Sequence, residues 1–228
     1  MYIDGVFSGG GVKGFALIGA YEAIEKRGFK FKRIAGTSVG SMIAGFIAAG
    51  YTSNEIFSMV DELQLGTFLD ARKTIFPSPL AKWIALYWKM GLYKGDQLEE
   101  WIAEKLSNKG VETFGDLPDH SFKVVVSDLT NSRLVVLPDD LPSYNINPRK
   151  FPVAKAIRMS SSLPYFFEPV KLKVGKKKNI IVDGGVLSNF PIWLFDKEKK
   201  ERPVLGVKLS PDIYERPKNK INNGIELF

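Results

Sequence analysis

Apolar and polar positions alternate in blocks along the first 50 residues of the chain. Short apolar runs at residues 3–7 and 31–35 predict buried strands, and apolar spacing of three and four at residues 17–24 predicts a helix. Residues 39–49 form a second, almost wholly apolar helical segment, and a glycine follows each helix as a stop signal. The order strand, helix, strand, helix predicts the start of a parallel, right-handed α/β sheet.

The rest of the chain continues this mixture without a linker or an internal repeat. Helical patterns begin at Ser53 or Asn54, at Asp96, where Glu99 completes a predicted capping box, and at residue 151. Strand patterns occupy residues 122–126, 133–137, 170–174, 179–182 and 204–209. The interpretation is one domain over residues 1–228, with a three-layer α/β/α fold and a mainly parallel central sheet. Residues 222–228 resemble the start of a helix, which leaves open a continuation past Phe228.

The composition supports a globular protein and excludes several classes. Apolar residues make up 45% of the 228 residues and charged residues 25%, which are ordinary values for a folded domain. The absence of cysteine excludes a disulfide framework and a thiolate metal site. No apolar run reaches the roughly 18 residues of a membrane span, and no signal-type segment follows Met1. The expectation is a cytoplasmic protein, soluble or peripheral at a membrane surface.

The net charge of +7 has two interpretations, a solvated basic surface or attraction to an anionic partner. Lysines cluster in two loop-like segments, at Lys171, Lys173 and Lys176 to Lys178, and at Lys197, Lys199 and Lys200. These basic loops lack the interleaved aromatics and the helical or RNP signatures of nucleic-acid modules. Nucleic acid is therefore not predicted as a partner, while phospholipid remains one. The sequence favours no particular oligomeric state.

The segment between Ile75 and Tyr93 is unusually rich in aromatic residues. It contains Phe76, Trp83, Tyr87, Trp88 and Tyr93. One interpretation is a helix packed on the core. The other is an interfacial lid or docking surface for a membrane, because tryptophan and tyrosine favour the boundary between membrane and water.

The pentapeptide Gly36-Thr37-Ser38-Val39-Gly40 joins the second predicted strand to the second helix. It matches the G-x-S-x-G pattern of a nucleophile elbow, in which a serine lies on a sharp turn. Glycine is needed on both sides because side chains there would collide with the neighbouring strand and helix. Ser38 is the candidate nucleophile.

A serine hydroxyl needs a base, and the chain offers two candidates. His120 is the only histidine and lies in a polar, turn-like segment, where a structural role is the alternative. Asp183 ends an apolar strand and is followed by Gly184 and Gly185, which let the backbone turn away from the carboxylate. An ordinary Asp-Gly turn is the other interpretation of Asp183. Together with the elbow, the pattern favours Asp183 as the base.

Gly9, Gly10 and Gly11 follow the first strand and are candidates for an oxyanion hole, because three glycines let backbone amides converge on one oxygen. Lys13 is either a partner for a phosphate head group or a solvated side chain. With Gly14, the segment also matches G-x-G-x-x-G, the dinucleotide-binding fingerprint. That function requires an acidic residue at the end of the second strand, where the sequence has Ala35-Gly36-Thr37-Ser38. The mismatch disfavours a dinucleotide site.

With these three motifs in this order, the chain resembles the patatin-like phospholipase family over roughly residues 2–209. Ser160-Ser161-Ser162-Leu163-Pro164 is similar to the serine-rich segment of that family. The resemblance implies a lipid acyl hydrolase with a Ser38–Asp183 dyad, oxyanion donors at Gly10 and Gly11, and no metal or other cofactor. The expected substrate is a phospholipid or another lipid ester. The alternatives are an esterase for small non-lipid esters and a catalytically weak lipid-binding protein with the same fold.

Overall fold

The computed structural model describes residues 1–61, 90–195 and 202–210. The strands are β1 (Tyr2–Phe7), β2 (Lys30–Thr37), β3 (Gly91–Tyr93), β4 (Phe122–Asp128), β5 (Arg133–Leu137), β6 (Tyr165–Phe167), β7 (Val170–Val174), β8 (Lys177–Asp183) and β9 (Val204–Val207). The α-helices are α1 (Phe15–Lys26), α2 (Val39–Ala48), α3 (Ser53–Asp61), α4 (Asp96–Ser107) and α5 (Val153–Ser160).

Four neighbouring strands form the parallel part of the central sheet, in the order β9-β1-β2-β4. The strands in its middle are buried over most of their length, as expected for strands covered on both faces. Phe7 pairs with Gly36 across β1 and β2, and Thr37 pairs with Val125 across β2 and β4. The predicted parallel α/β architecture is confirmed, and all three predicted motifs adjoin this sheet.

Three further strands add an antiparallel part around β4. β5 pairs with β4 along one edge, and β8 pairs with the last three residues of β4 along the other. β2 occupies that second edge up to Thr37, opposite Val125, and β8 takes over at Asp183, opposite Val126. Because β8 runs antiparallel to β4, the carboxyl ends of β2 and β8 meet head to head beside the middle of β4.

The main hydrophobic core lies between the sheet and the helices. α2 packs on β1, β2 and β4, and α5 packs on β4 and α4. The apolar side chains of α2, such as Ile43 and Phe46, are almost fully buried, which explains the nearly unbroken apolar run in the sequence. A smaller cluster of Val6, Ala35 and Phe195 covers the opposite face of β1 and β2.

Two predicted helix caps are wrong. Gly95, with a positive φ of 77°, precedes α4, and Asp96 is its first helical residue, so the predicted capping box with Glu99 does not form. α3 is capped by Thr52 and not by Ser53 or Asn54. The Thr52 N–H donates to Glu55 Oε2 at 2.7 Å, and the Glu55 N–H donates to Thr52 Oγ1 at 3.3 Å.

Several sequence predictions lie outside the described residues. They include most of the aromatic segment from Ile75, the second lysine cluster and residues 222–228. The end of the aromatic segment is the short strand β3, which pairs in parallel with β6, and the Tyr93 ring lies 5.0 Å from the ring of Phe166. Among the described residues, no helix is long and apolar enough to cross a membrane, and no three His, Cys, Asp or Glu side chains cluster as a metal site would require.

Candidate active site

Ser38 lies on the sharp turn between β2 and α2. Its backbone has φ 54° and ψ −131°, a conformation that residues with a side chain rarely adopt. Such a conformation costs roughly 1–3 kcal/mol and persists only where the surroundings hold it in place. The strand–turn–helix context therefore matches the structural requirement of the G-x-S-x-G pattern.

The two glycines of the elbow are required by close backbone approaches. A Cβ atom on Gly36 would lie 2.4 Å from the carbonyl oxygen of Gly40. A Cβ atom on Gly40 would lie 2.4 Å from the carbonyl oxygen of Ser8 and 2.5 Å from that of Phe7. Because these neighbours are backbone atoms, they cannot move aside as a side chain can. The elbow is thus pressed against the end of β1, where the Gly9–Gly11 loop begins.

Asp183 contacts Ser38 because β2 and β8 end against each other. The Ser38 hydroxyl lies close enough to the Asp183 carboxylate to lower its pKa, and the Gly185 N–H donates to Asp183 Oδ1 at 2.7 Å. Asp183 is only 4% exposed. Burial raises the pKa of Asp183, while the hydrogen bonds from Ser38 and Gly185 oppose that rise. The result is a carboxylate that is a stronger base than an exposed aspartate.

The two glycines after Asp183 have different surroundings. A Cβ atom on Gly184 would lie 2.2 Å from the carbonyl oxygen of Val125, so this position accepts only glycine without a backbone shift. A Cβ atom on Gly185 would lie 3.0 Å from Asp183 Oδ1. Glycine at both positions lets the chain turn away tightly and bring the Gly185 amide to the carboxylate.

The Gly9–Gly11 loop lies against the elbow, and its three glycine amides differ in what they contact. A Cβ atom on Gly9 would lie 3.2 Å from Ser38 Cβ, so the loop borders the nucleophile. The Gly9 N–H already donates to the Asn189 carbonyl oxygen at 3.0 Å. Within the described residues the amides of Gly10 and Gly11 have no such acceptor, and Gly11 has a positive φ of 54°. These two amides are the donors that the loop can offer.

Gly14 and Lys13 complete the loop. A Cβ atom on Gly14 would lie 2.4 Å from Val39 Cγ2, so glycine here lets the loop approach the residue after the nucleophile. The Lys13 N–H donates to the Gly10 carbonyl oxygen at 3.2 Å, and the Lys13 side chain is exposed. Lys13 therefore stabilises the loop through its backbone, with its ammonium group directed to solvent.

His120 lies at the other end of the sheet. Its neighbour Ser121 accepts a hydrogen bond at 2.7 Å from the N–H of Ile34, four residues before Ser38 on β2. At about 3.3 Å per strand residue, that contact is roughly 13 Å from the elbow. The structure does not bring His120 together with Ser38, and Asp183 is the group that it places at the serine.

Sequence reasoning assigned no role to two residues that contact the site. Asn189 accepts from the Gly9 N–H through its carbonyl oxygen, and its side-chain Nδ2 donates to the Gly9 carbonyl at 3.3 Å. Ser160 Oγ accepts from the Ser38 N–H at 2.8 Å. Ser160 lies in the serine-rich segment that carries the family resemblance, which was the only signal for it. The contacts of both residues depend on tertiary structure.

These features define a class of α/β proteins in which a serine on a strand-to-helix turn faces a buried carboxylate and a glycine loop. Within that class, the chain belongs to the patatin-like phospholipase family, whose model matches residues 5–196. Membership places it in a family of lipid hydrolases.

The chain is also similar to individual proteins and to a solved structure. Uncharacterized protein YqhO of Bacillus subtilis (strain 168) is 58% identical over 228 residues, which cover all of this chain and 78% of that protein. The probable lipid hydrolase 463L of Invertebrate iridescent virus 6 is 26% identical, over 82% of this chain and 61% of the viral protein. The crystal structure of VipD from Legionella pneumophila shares the fold, with a TM-score of 0.56 and 20% identity. That match covers 90% of this chain and 49% of VipD.

Proposed function

We propose that this protein is a lipid acyl hydrolase that cleaves carboxylic esters through Ser38 and Asp183. The observation that carries the proposal is the placement of Ser38, on a strand-to-helix turn, beside the buried carboxylate of Asp183, whose pKa burial raises. A base in direct contact with the nucleophile needs no histidine between them. The Gly9–Gly11 loop beside Ser38 supports the same chemistry, because it offers two amides to a developing oxyanion.

In the acylation step, Asp183 accepts the hydroxyl proton of Ser38 as Oγ attacks the ester carbonyl carbon. The carbonyl oxygen becomes an oxyanion, which accepts hydrogen bonds from the amides of Gly10 and Gly11. Each such donor is worth about 2.7–4 kcal/mol of transition-state stabilisation. As the tetrahedral intermediate collapses, the alcohol or lysolipid leaves with the proton from Asp183, and the acyl group remains on Ser38.

In the deacylation step, Asp183 accepts a proton from a water molecule that attacks the acyl-serine. The same two amides hold the second oxyanion. Collapse releases the fatty acid and returns the proton from Asp183 to Ser38 Oγ, which restores the free hydroxyl and the ionised carboxylate. One carboxylate thus acts as base and then as acid in each half of the cycle.

The pH dependence of activity reports the proposed base. Asp183 must be ionised to accept the proton, so kcat/KM falls as the pH decreases through its pKa. Burial raises that pKa, so the midpoint of the acid limb is expected above the ordinary value of 3.8. The measurement is kcat/KM for a soluble ester as a function of pH. His120→Gln serves as the control and should leave the limb in place, whereas a limb that vanishes in this variant contradicts the assignment.

The same raised pKa has a consequence for stability. The folded state holds the Asp183 proton more tightly than the unfolded state, so Asp183 costs stability as the pH rises from 3.8 toward the folded pKa. Above that range the penalty is constant. Asp183→Asn removes the ionised group and keeps an oxygen for the Gly185 N–H. At neutral pH this variant should therefore be inactive yet at least as thermally stable as wild type, and a marked fall in Tm contradicts the pKa argument.

The surface beside Asp183 supports a lipid as the substrate. Ser162, whose carbonyl oxygen accepts the Asp183 N–H at 3.0 Å, is followed by Leu163, and Val186 and Leu187 lie three and four residues after Asp183. Leu163 is 54% exposed, Val186 46% and Leu187 50%. We call these three side chains and the exposed Tyr165 the apolar rim. Apolar groups around an ester-cleaving site favour contact with acyl chains.

The β7–β8 hairpin supports an anionic lipid surface as the place of action. Five of its residues are exposed lysines: Lys171, Lys173, Lys176, Lys177 and Lys178. Lys173 lies directly opposite Lys178 on the neighbouring strand, so their two positive charges repel each other in the isolated protein. Within residues 1–61, 90–195 and 202–210, none of the five forms a salt bridge. A negatively charged bilayer relieves this repulsion.

Replacing Lys173 and Lys178 together by glutamine should weaken binding to vesicles that contain phosphatidylglycerol. The expected loss is roughly 10- to 30-fold, since each lysine near an anionic surface contributes about 1 kcal/mol. The measurement is vesicle co-sedimentation at low salt. The matched control replaces Lys30 and Lys32, two exposed lysines on the amino-terminal half of β2, and should bind like wild type. Equal losses in both variants contradict a specific role for the hairpin.

The test of the proposed function is fatty-acid release from phospholipid vesicles, compared with hydrolysis of a short soluble ester. The proposal predicts turnover of the phospholipid that disappears in Ser38→Ala. Turnover of the short ester alone favours the small-ester esterase. Vesicle binding without turnover of either substrate favours a lipid-binding protein.

A further inference from the structure

One short segment contacts both members of the proposed dyad. Residues 158–162 comprise the end of α5 and the turn after it. Ser160 Oγ, in this segment, accepts a hydrogen bond from the backbone N–H of Ser38 at 2.8 Å. Two residues later the carbonyl oxygen of Ser162 accepts the backbone N–H of Asp183 at 3.0 Å. The segment therefore spans the gap between the ends of β2 and β8.

The Ser160 hydroxyl is fully engaged in both directions. It accepts from the Ser38 N–H, and it donates to the carbonyl oxygen of Val125 at 2.7 Å. Val125 is the β4 residue that pairs with Thr37, immediately before the nucleophile. Ser160 is completely buried, so no solvent replaces either bond. The hydroxyl thus ties the elbow to the middle of the sheet.

We propose that Ser160 is a positioning residue, whose hydroxyl fixes the Ser38 backbone so that Ser38 Oγ stays aligned with Asp183. This inference rests on the proposed function. The backbone of Ser38 is held at φ 54°, where a residue with a side chain is strained. A hydrogen bond to the amide of that same residue stabilises the strained turn where alignment matters most.

The contact also bears on the oxyanion hole, because it engages the Ser38 amide. Because the Ser38 N–H donates to Ser160, it does not point at the position of a substrate oxyanion. The amides of Gly10 and Gly11 in the Gly9–Gly11 loop remain available for that role. In this arrangement the Ser38 amide serves to align the nucleophile. The amides of Gly10 and Gly11 serve to stabilise the negative charge of the oxyanion.

Arg158 anchors residues 158–162 to neighbouring parts of the fold. Its buried guanidinium donates to Ser162 Oγ at 2.5 Å and to the carbonyl oxygen of Gly95 at 2.8 Å. It also donates to the carbonyl oxygens of Lys94 and Glu168, the latter at 3.1 Å. These bonds join the segment to the ends of β3 and β6. Ser160 is thus presented from a rigid base, which a positioning role requires.

The test compares Ser160→Ala with Ser161→Ala. Ser161 is the adjacent serine, and no hydrogen bond of its hydroxyl appears among the described residues. Ser160→Ala should lower kcat for a soluble ester by about 10- to 100-fold with little change in KM, since a small misplacement of a reacting group has an effect of that size. Ser160→Cys keeps a side chain of similar volume and a weak hydrogen-bonding group, so its kcat should lie between those of wild type and Ser160→Ala. Ser161→Ala should match wild type.

The pH profile supplies a readout that lost packing would not move. Among the described residues, burial, Ser38 and Gly185 set the pKa of Asp183, without a contribution from any charged side chain. The Ser38 hydrogen bond lowers that pKa, so a displaced Ser38 lets it rise. In Ser160→Ala and, to a smaller extent, Ser160→Cys, the acid limb of kcat/KM should shift to higher pH. Ser161→Ala should leave it unchanged.

The outcomes separate this inference from the proposed function. Full activity of Ser38→Ala overturns the proposed function and with it the role of Ser160. Loss of activity in Ser38→Ala, with wild-type kcat and an unshifted acid limb in Ser160→Ala, overturns the positioning role alone. If Ser160→Ala does not fold, the same comparison is made with Ser160→Cys, where wild-type kcat and an unshifted limb again overturn it.

Discussion

Ser38→Ala should lower the hydrolysis of a lipid ester by about 10⁴-fold or more, because it removes the hydroxyl that forms the acyl intermediate. Asp183→Asn should cause a loss of similar order, since asparagine cannot accept the hydroxyl proton. The two losses should not add in the double variant, because serine and base act in the same step. The measurement is kcat/KM for each variant beside its Tm.

The control for this prediction is His120→Gln. The side chain lies at the far end of the sheet from Ser38, so its loss should leave kcat/KM within about twofold of wild type. Unchanged Tm values in Ser38→Ala would show that the loss of activity is chemical. A variant of Asp183 that keeps full activity, or a His120 variant that loses it, contradicts the Ser38–Asp183 pairing.

Gly40→Ala should have the largest effect on stability. The added Cβ atom would lie 2.4 Å from the Ser8 carbonyl oxygen and 2.5 Å from that of Phe7. Relief requires α2 to move away from the end of β1, which separates the nucleophile from the oxyanion loop. We expect a loss of about 3 kcal/mol, or about 6–12 °C in Tm, together with a large loss of activity.

Gly19→Ala is the matched control, since Gly19 also lies within a helix. A Cβ atom at Gly19 has no neighbouring atom within 4 Å, and the position is exposed. Alanine there should stabilise the protein by roughly 0.5–1 kcal/mol, because it restricts the unfolded chain and favours the helix. Similar Tm values for the two variants would contradict the close approach at Gly40.

Local sequence patterns were sufficient to predict most of the helices and strands in the described residues. The strands β1 and β4, buried over most of their length, were predicted from apolar runs, and the apolar run of α2 reflected its burial against the sheet. The elbow and the Asp-Gly-Gly turn could be predicted because close backbone approaches at Gly36, Gly40 and Gly184 restrict those positions to glycine. Such steric requirements leave a signal in the sequence itself.

The contacts that assemble the site could not be predicted in the same way. Ser38 and Asp183 meet because β8 is antiparallel and continues the edge of β4 that β2 leaves at Thr37. No local pattern encodes that register. The same applies to Gly9, whose amide is engaged by a carbonyl 180 residues away, at Asn189. The predicted cap at Asp96 failed because Gly95, held by Arg158, already forms the turn that begins the helix.

The Ser38 region combines several features that cost stability. The nucleophile has a strained backbone, the base is a buried carboxylate, and the adjacent rim is apolar and exposed. Each is unfavourable for folding and favourable for ester cleavage at a lipid surface. The proposed function explains why these three features occur together where β2 and β8 meet.

The most direct measurement is covalent labelling with a fluorophosphonate probe, with the modified residue located by mass spectrometry. We expect one phosphonate adduct, on the Ser38 peptide, that is absent in Ser38→Ala and forms much more slowly in Asp183→Asn. We also expect unchanged labelling in His120→Gln. An adduct on another residue, or wild-type labelling of Ser38 in Asp183→Asn, would contradict the account.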